Sequence, residues 1–183
     1  MVGIQTRVIV RMKNVKKNQR GLTLLELVIV IGLTSLVVAG ITGTIMGAFN
    51  MAAHTRNDMM AVYQVRQAGK LVRYDALQAQ SVNASGINGF PLILTWSDWS
   101  TGDSHKVTYT LGDMPFGEFK RLQRSESLNG QAPTVKPVAE YINANGTNCI
   151  WNNATGVLTF TVTATVGEQS ETREDHVQPR SGT

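Results

Sequence analysis

Between Leu27 and Thr55 no residue carries a formal charge. The front of that stretch, Leu27 to Phe49, is 23 residues long and has only Thr34, Ser35, Thr42 and Thr44 as polar side chains. Wound as a helix it reaches about 35 Å at 1.5 Å per residue, more than the roughly 30 Å of bilayer hydrocarbon. It is also longer than the roughly 7–15 apolar residues of a cleaved secretory signal. A helix inside a soluble domain rarely stays uncharged on every side over such a length. The first expectation is therefore a single membrane-spanning helix.

The flanks set its direction. The chain has a formal charge of +4 and a pI near 9.4, which by itself suggests a nucleic-acid partner. Six basic residues (Arg7, Arg11, Lys13, Lys16, Lys17, Arg20) and no acid fall in the first 21 positions, however, and the rest of the chain has eleven basic and thirteen acidic side chains. Positive charge directly before an apolar span is a membrane-orienting pattern. It places the N-terminus in the cytoplasm and the C-terminal part outside, and no direct nucleic-acid binding is expected. Chemistry is scarce. With Cys149 as the sole cysteine there is no intrachain disulfide and no Cys/His metal set. His54, His105 and His176 lie about fifty or more residues apart. Phosphate loop, dinucleotide fingerprint and nucleophile elbow are all missing. No catalytic residue, metal site or cofactor is expected, and the chain does not read as an enzyme.

Two features of the span stand out. Gly32, Gly40, Gly43 and Gly47 interrupt it, each costing about 1 kcal/mol relative to alanine in a helix interior. Gly43 and Gly47 form a GxxxG pair that lets helices approach closely in lipid; the glycines equally make a soft spot where the helix can unwind. The second feature is Glu26, a carboxylate at the mouth of the apolar run. An ionisable group there is a functional candidate whose partner must be named. No basic residue follows within several helical turns, which leaves Arg20 and Lys17 as groups that can snorkel toward it.

At this junction the chain reads Gln19-Arg20-Gly21-Leu22-Thr23-Leu24-Leu25-Glu26-Leu27. From Lys16 to about Phe49 the sequence resembles the N-terminal cleavage and methylation motif of type IV prepilins and the related pseudopilins. The resemblance implies that prepilin peptidase cuts after Gly21 on the cytoplasmic face and methylates the new N-terminal amine of Leu22. It implies that Glu26 pairs with the Leu22 ammonium of a neighbouring pilin or pseudopilin subunit and so sets register in an assembly. A buried carboxylate is tolerated when paired in this way. The implied leader of 21 residues is long for such proteins; translation from Met12 would give ten.

Proline first occurs at Pro91, so the helix can continue beyond the membrane. A stripe at Val62, Val65, Gly69, Val72, Ala76 and Ala79, broadened by Leu71 and Leu77, recurs at spacings of three and four and predicts an amphipathic helix ending near Gln80. Strands are then expected at Pro91–Trp96, Lys106–Leu111, Phe119–Arg124, Val135–Ile142 (an edge, because of Pro137), Val157–Val166 and Glu171–Val177. In the Val157–Val166 strand, Leu158, Phe160, Val162, Ala164 and Val166 alternate with four threonines, the habit of an antiparallel strand with one wet face. The expected fold is α+β and pilin-like: a long N-terminal helix packed on an antiparallel sheet. Its expected parts are a cleaved leader (1–21), a membrane half of the helix (22–55), an amphipathic half (56–82) and a β domain (83–183). More loosely, Tyr109-Thr110-Leu111, Lys120-Arg121-Leu122-Gln123-Arg124 and Pro179-Arg180 resemble landmarks of J-type minor pseudopilins.

Other features are assigned to structure. Asn-x-Ser/Thr triplets at Asn83, Asn145 and Asn153 reflect loop composition. Asp98 and Asp103 share a loop but fall short of the roughly six to eight oxygens that calcium takes. Trp96 and Trp151 are expected in the core, and Cys149 as a small buried residue. The leading reading is a minor pilin or pseudopilin. Set against it are a signal-anchored binding protein that forms no filament, and a secreted protein cut near Ala53.

Overall fold

The computed structural model describes Gly21 and residues 23–180. Leu22 and all of the leader before Gly21 lie outside the described residues. One helix, α1, runs Leu24–Gln78, and eight strands follow: β1 Ser81–Asn83, β2 Leu92–Ser97, β3 Ser104–Asp113, β4 Lys120–Leu128, β5 Thr134–Ile142, β6 Asn148–Asn152, β7 Val157–Val166 and β8 Gln169–Val177. The chain divides into two units, residues 1–47 and 48–183.

In the first unit every described residue is exposed. In the second, the C-terminal part of α1 packs on an antiparallel sheet of order β1-β2-β3-β4-β5-β7-β6, with β8 paired to β7. The fold is thus α+β, a long apolar N-terminal helix whose later turns lie on an antiparallel sheet. The helix contributes small residues to the contact, with Ala61, Val65, Ala68, Gly69, Val72, Ala76 and Ala79 buried. The sheet contributes large ones, among them Leu92, Leu94, Val107, Tyr109, Leu122, Ile142, Leu158 and Phe160. Small against large lets the backbone of α1 approach the sheet while the core fills to normal density.

The expected stripe is present, and Ala61, Ala68 and Asp75 also lie on it. Leu77, expected to broaden it, is 50% exposed. The helix stops at Gln78, two residues short of the expected end, because Ser81–Asn83 is drawn into pairing with Ile93–Thr95 as β1.

The second half of the sheet turns on β7. One edge pairs with β8 throughout, from Leu158↔Val177 to Val166↔Gln169. The other is shared by the end of β5, at Ile142↔Ala164, and by β6, at Asn148↔Thr161 to Asn152↔Val157. Between them a short 3-10 turn at Ala144–Gly146 leaves a gap, which the buried Thr147 fills. Its hydroxyl accepts from the Thr163 N–H (3.1 Å), and the Thr163 carbonyl accepts from the Asn143 N–H (2.9 Å). The backbone at Thr163 is therefore satisfied on this edge although neither β5 nor β6 pairs with it there.

Two sequence expectations change here. Strand β5 is not an edge by order, since it sits between β4 and β7. Pro137 is tolerated because β5 meets β7 only at Ile142, so at Pro137 only the β4 side is laddered. Strand β6 was not expected at all. Gly89, at φ 77°, sits in a close approach to it: a Cβ there would strike the Cys149 carbonyl. Strand β8 pairs on one side only, and Cys149 is buried, as expected.

Candidate functional site

The start of α1 is set by Thr23. Its hydroxyl accepts from the Glu26 backbone N–H (3.2 Å), and its carbonyl accepts from the Leu27 N–H (3.1 Å). A Thr accepting from the third residue onward satisfies one of the orphan amides of a helix start, and an acid in the first turn is favourable beside the helix dipole. Among the described residues the Glu26 carboxylate has no hydrogen-bond or ion-pair partner.

Behind it the helix presents almost pure hydrocarbon. The four polar side chains of the run donate their hydroxyls to their own helix: Thr34 to the Val30 carbonyl (2.8 Å), Ser35 to Gly32 (2.8 Å), Thr42 to Val38 (2.9 Å) and Thr44 to Gly40 (2.6 Å). Back-bonding of this kind leaves no hydroxyl in need of water, which is the condition for a segment that lies in lipid. Gly32, Gly40, Gly43 and Gly47 have no heavy atom within 4 Å of where a Cβ would stand. The GxxxG pair is therefore free to meet another helix.

A second ionic centre lies in the sheet unit, and the sequence reading did not single it out. Asp75, 1% exposed, sits on the core face of α1 between Val72 and Ala76. One of its oxygens, Oδ2, accepts from the Tyr109 hydroxyl (2.5 Å) and from Arg124 Nε (2.7 Å), while Oδ1 accepts from a terminal nitrogen of Arg124 (3.1 Å). Arg124 also donates to Glu126 (2.6 Å), whose other oxygen lies 3.7 Å from His105 Nδ1. The ring of His105 stacks on Trp96 at 5.1 Å. Burial, then the Asp75 charge, push the Tyr109 phenol above its ordinary range, so it stays a donor. The hydrogen bond from Arg124 is the main cause that holds the Glu126 carboxyl below its ordinary range. Tyr109 and Arg124 belong to the two segments noted as pseudopilin-like landmarks; the fold brings both onto one helix carboxylate. The signal in the sequence was an acid at the three-four spacing from Val72 and Ala79.

The other candidates take part in local structure. Asp98 accepts from the Ser100 N–H (2.8 Å) and hydroxyl (2.7 Å) and so closes its own turn, whereas Asp103 accepts from Asn129 (2.7 Å) and ties that turn to the one after β4. Those hydrogen bonds hold both carboxyls below their ordinary range. Among the described residues no group of three or more His, Cys, Asp or Glu side chains is arranged for a metal. Trp96 and Trp151 pack against the core, whereas Trp99 is 73% exposed.

A family profile described as the prokaryotic N-terminal methylation motif matches residues 16–42. Comparison with curated proteins and with solved structures finds no match. The profile match covers the end of the leader, the cap at Thr23, Glu26 and the first part of the apolar helix. It supports a place for this chain in the type IV prepilin and pseudopilin family; residues 43–183 lie outside it.

Proposed function

We propose that this chain, with its prepilin-type N-terminus, is a structural minor subunit of a type IV filament-like machine, a pilus or a secretion or DNA-uptake pseudopilus. Prepilin peptidase removes residues 1–21 by cutting after Gly21 and methylates Leu22. Residues 22–55 anchor the subunit once across the cytoplasmic membrane, residues 56–82 continue as the amphipathic part, and the domain from 83 to 183 lies outside. The subunit catalyses nothing and needs no cofactor. The observation that carries this reading is the unbroken junction of basic leader, Gly21, Thr23 cap, Glu26 and apolar helix.

Within the assembly, Glu26 accepts the Leu22 ammonium of an adjacent subunit, and Gly43 and Gly47 let neighbouring helices pack closely. The reading is supported by the absence of a partner for Glu26 among the described residues and by the open surface at both glycines. An uncompensated charge buried by loss of its partner costs about 3–5 kcal/mol. Glu26→Val therefore inserts, is still cut after Gly21, and fails to enter the assembly, whereas Glu26→Asp is intermediate because it keeps the charge with a shorter reach. Disulfide crosslinking between cysteines placed in the outer domain reads incorporation at equal membrane levels. If Glu26→Val crosslinks as well as the wild type, Glu26 serves only the start of its own helix and the assembly role is lost.

A further inference from the structure

The outer unit of α1 carries a second stripe. Met60, Tyr63, Gln67, Lys70, Tyr74 and Leu77 recur at spacings of three and four, all of them exposed. At 3.6 residues per turn they lie opposite the buried stripe of Val65, Val72 and Ala79. Tyr63 is 59% exposed, Tyr74 63% and Leu77 50%, a row of large apolar groups on a face that has no need of them for folding. Aromatic side chains with arginine mark the centres of protein interfaces.

The charge around this row has one sign. Arg66, Lys70 and Arg73 flank Tyr74 and Leu77 in a groove closed on one side by Arg173. No carboxylate lines that groove. Arg66, Lys70 and Arg73 form no ion pair among the described residues. Arg173 is already held by Asp175 through two hydrogen bonds (2.6 and 2.7 Å), and Arg73 acts on that same carboxylate from further off. One buried acid thus serves two arginines, and the groove keeps an excess of positive charge.

We infer that this stripe is the docking face for an acidic amphipathic helix of a different subunit, an inference that rests on the assembly role proposed above. A second copy of this chain does not fit by the same face, because it would set Arg66, Lys70 and Arg73 against their own like. The fitting helix carries apolar residues at three-four spacing to lie along Tyr63, Tyr74 and Leu77. Its carboxylates stand at the matching spacing to meet Arg66, Lys70 and Arg73. From Met60 to Leu77 the row spans about 26 Å, room for some five turns of a partner helix.

The test is photo-crosslinking of the full chain in cells of its own host, with p-benzoyl-phenylalanine at position 74 and the adduct sequenced by mass spectrometry. The expected adduct is an acidic, amphipathic segment of another membrane-anchored subunit. Arg66→Glu with Lys70→Glu lowers its yield about tenfold or more through like-charge contact. The milder pair Arg66→Gln with Lys70→Gln gives an intermediate loss, and reversing the contacted acids in the partner restores the yield of the double-Glu variant. Adducts with lipid, with a second copy of this chain or with a segment lacking acids overturn the inference, as does a yield indifferent to both charge variants. The mass of the same chain reports removal of residues 1–21. A processed chain with no such adduct overturns this inference alone, whereas an unprocessed chain overturns the assembly reading beneath it.

Discussion

Glu26 and Asp75 are two carboxylates on one helix, and the stretches around them treat charge in opposite ways. Around Asp75 the fold supplies the partners from within the chain, with a phenol and two of the three guanidinium nitrogens of Arg124 converging on one acid. Around Glu26 the described residues supply only a backbone contact through Thr23. The glycines repeat the contrast. A Cβ on Gly69 would collide with the Asp175 carboxylate and Arg173 Nε, whereas a Cβ on Gly43 would meet nothing within 4 Å. Small size at Gly69 is used inside the molecule; at Gly43 nothing among the described residues makes use of it. The helix thus has polar and small positions satisfied internally at one end and left open, among the described residues, at the other; the function proposed above gives folding to the first and association to the second.

The largest effect that would break this comparison is at Asp75. Asp75→Ala leaves Arg124 half-buried without its main acceptor and should cost about 3–5 kcal/mol of the sheet unit's stability. Denaturant unfolding followed by the fluorescence of Trp96, Trp99 and Trp151, all in the sheet unit, measures it. Replacing the set together, Asp75→Leu with Arg124→Met and Tyr109→Phe, should recover most of the loss, since no buried polar group is then orphaned. In the same assay Glu26→Val should move stability by less than about 0.5 kcal/mol. Equal losses at the two acids would erase the distinction.

The glycine pair gives a smaller and oppositely signed test. Gly69→Ala forces the β8 ion pair away from α1 and should destabilise by about 1–3 kcal/mol, the usual range for overpacking. Gly43→Ala removes a helix-weakening residue and should stabilise the isolated helix by about 1 kcal/mol, yet reduce incorporation into the assembly. If Gly43→Ala assembles normally, the GxxxG pair has no packing role.

The smallest effect is on pH dependence, and it sharpens the picture of the sheet unit. The folded-state pKa of Tyr109 is raised above its ordinary 10.0, so above that pH the unfolded chain loses a proton that the folded chain keeps. Stability should then fall as pH rises past 10. Glu126 and Asp175 are held below their ordinary 4.5 and 3.8, chiefly by hydrogen bonds from Arg124 and Arg173. Their contribution is full above those values and is lost as pH falls through the lower folded ones. Unfolding midpoints across pH should therefore be flat near neutrality and drop at both ends. Tyr109→Phe should abolish only the alkaline drop.

How much of this was legible in the sequence differs between the two stretches. The apolar span and its junction depend on local composition and order, so the helix, its fitness for lipid and the motif at Gly21 to Glu26 could be read directly. The strand from Val157 to Val166 was legible for the same reason, since strict alternation announces one buried face. Strand β6 was not. Asn148–Asn152 is short and irregular in pattern, and it becomes a strand because β7 offers it the edge that β5 leaves after Ile142. Leu77 misled because its spacing fits either face of the helix, and only the position of the sheet decides. Asp75 was passed over because its acceptability depends on Tyr109 and Arg124, 34 and 49 residues away. Pairings over that distance are set by strand register, which local pattern does not carry.

Processing as a prepilin leaves its mark at the N-terminus of the membrane-extracted protein. Intact mass and N-terminal sequencing should find a chain beginning at Leu22 with one added methyl group on its amine, and with all six basic residues of the leader removed. Replacing Gly21 by valine should block the cut, because a side chain there obstructs backbone approach. A mature chain that still begins at Met1 or Met12, or one that begins near Ala53, would contradict the account.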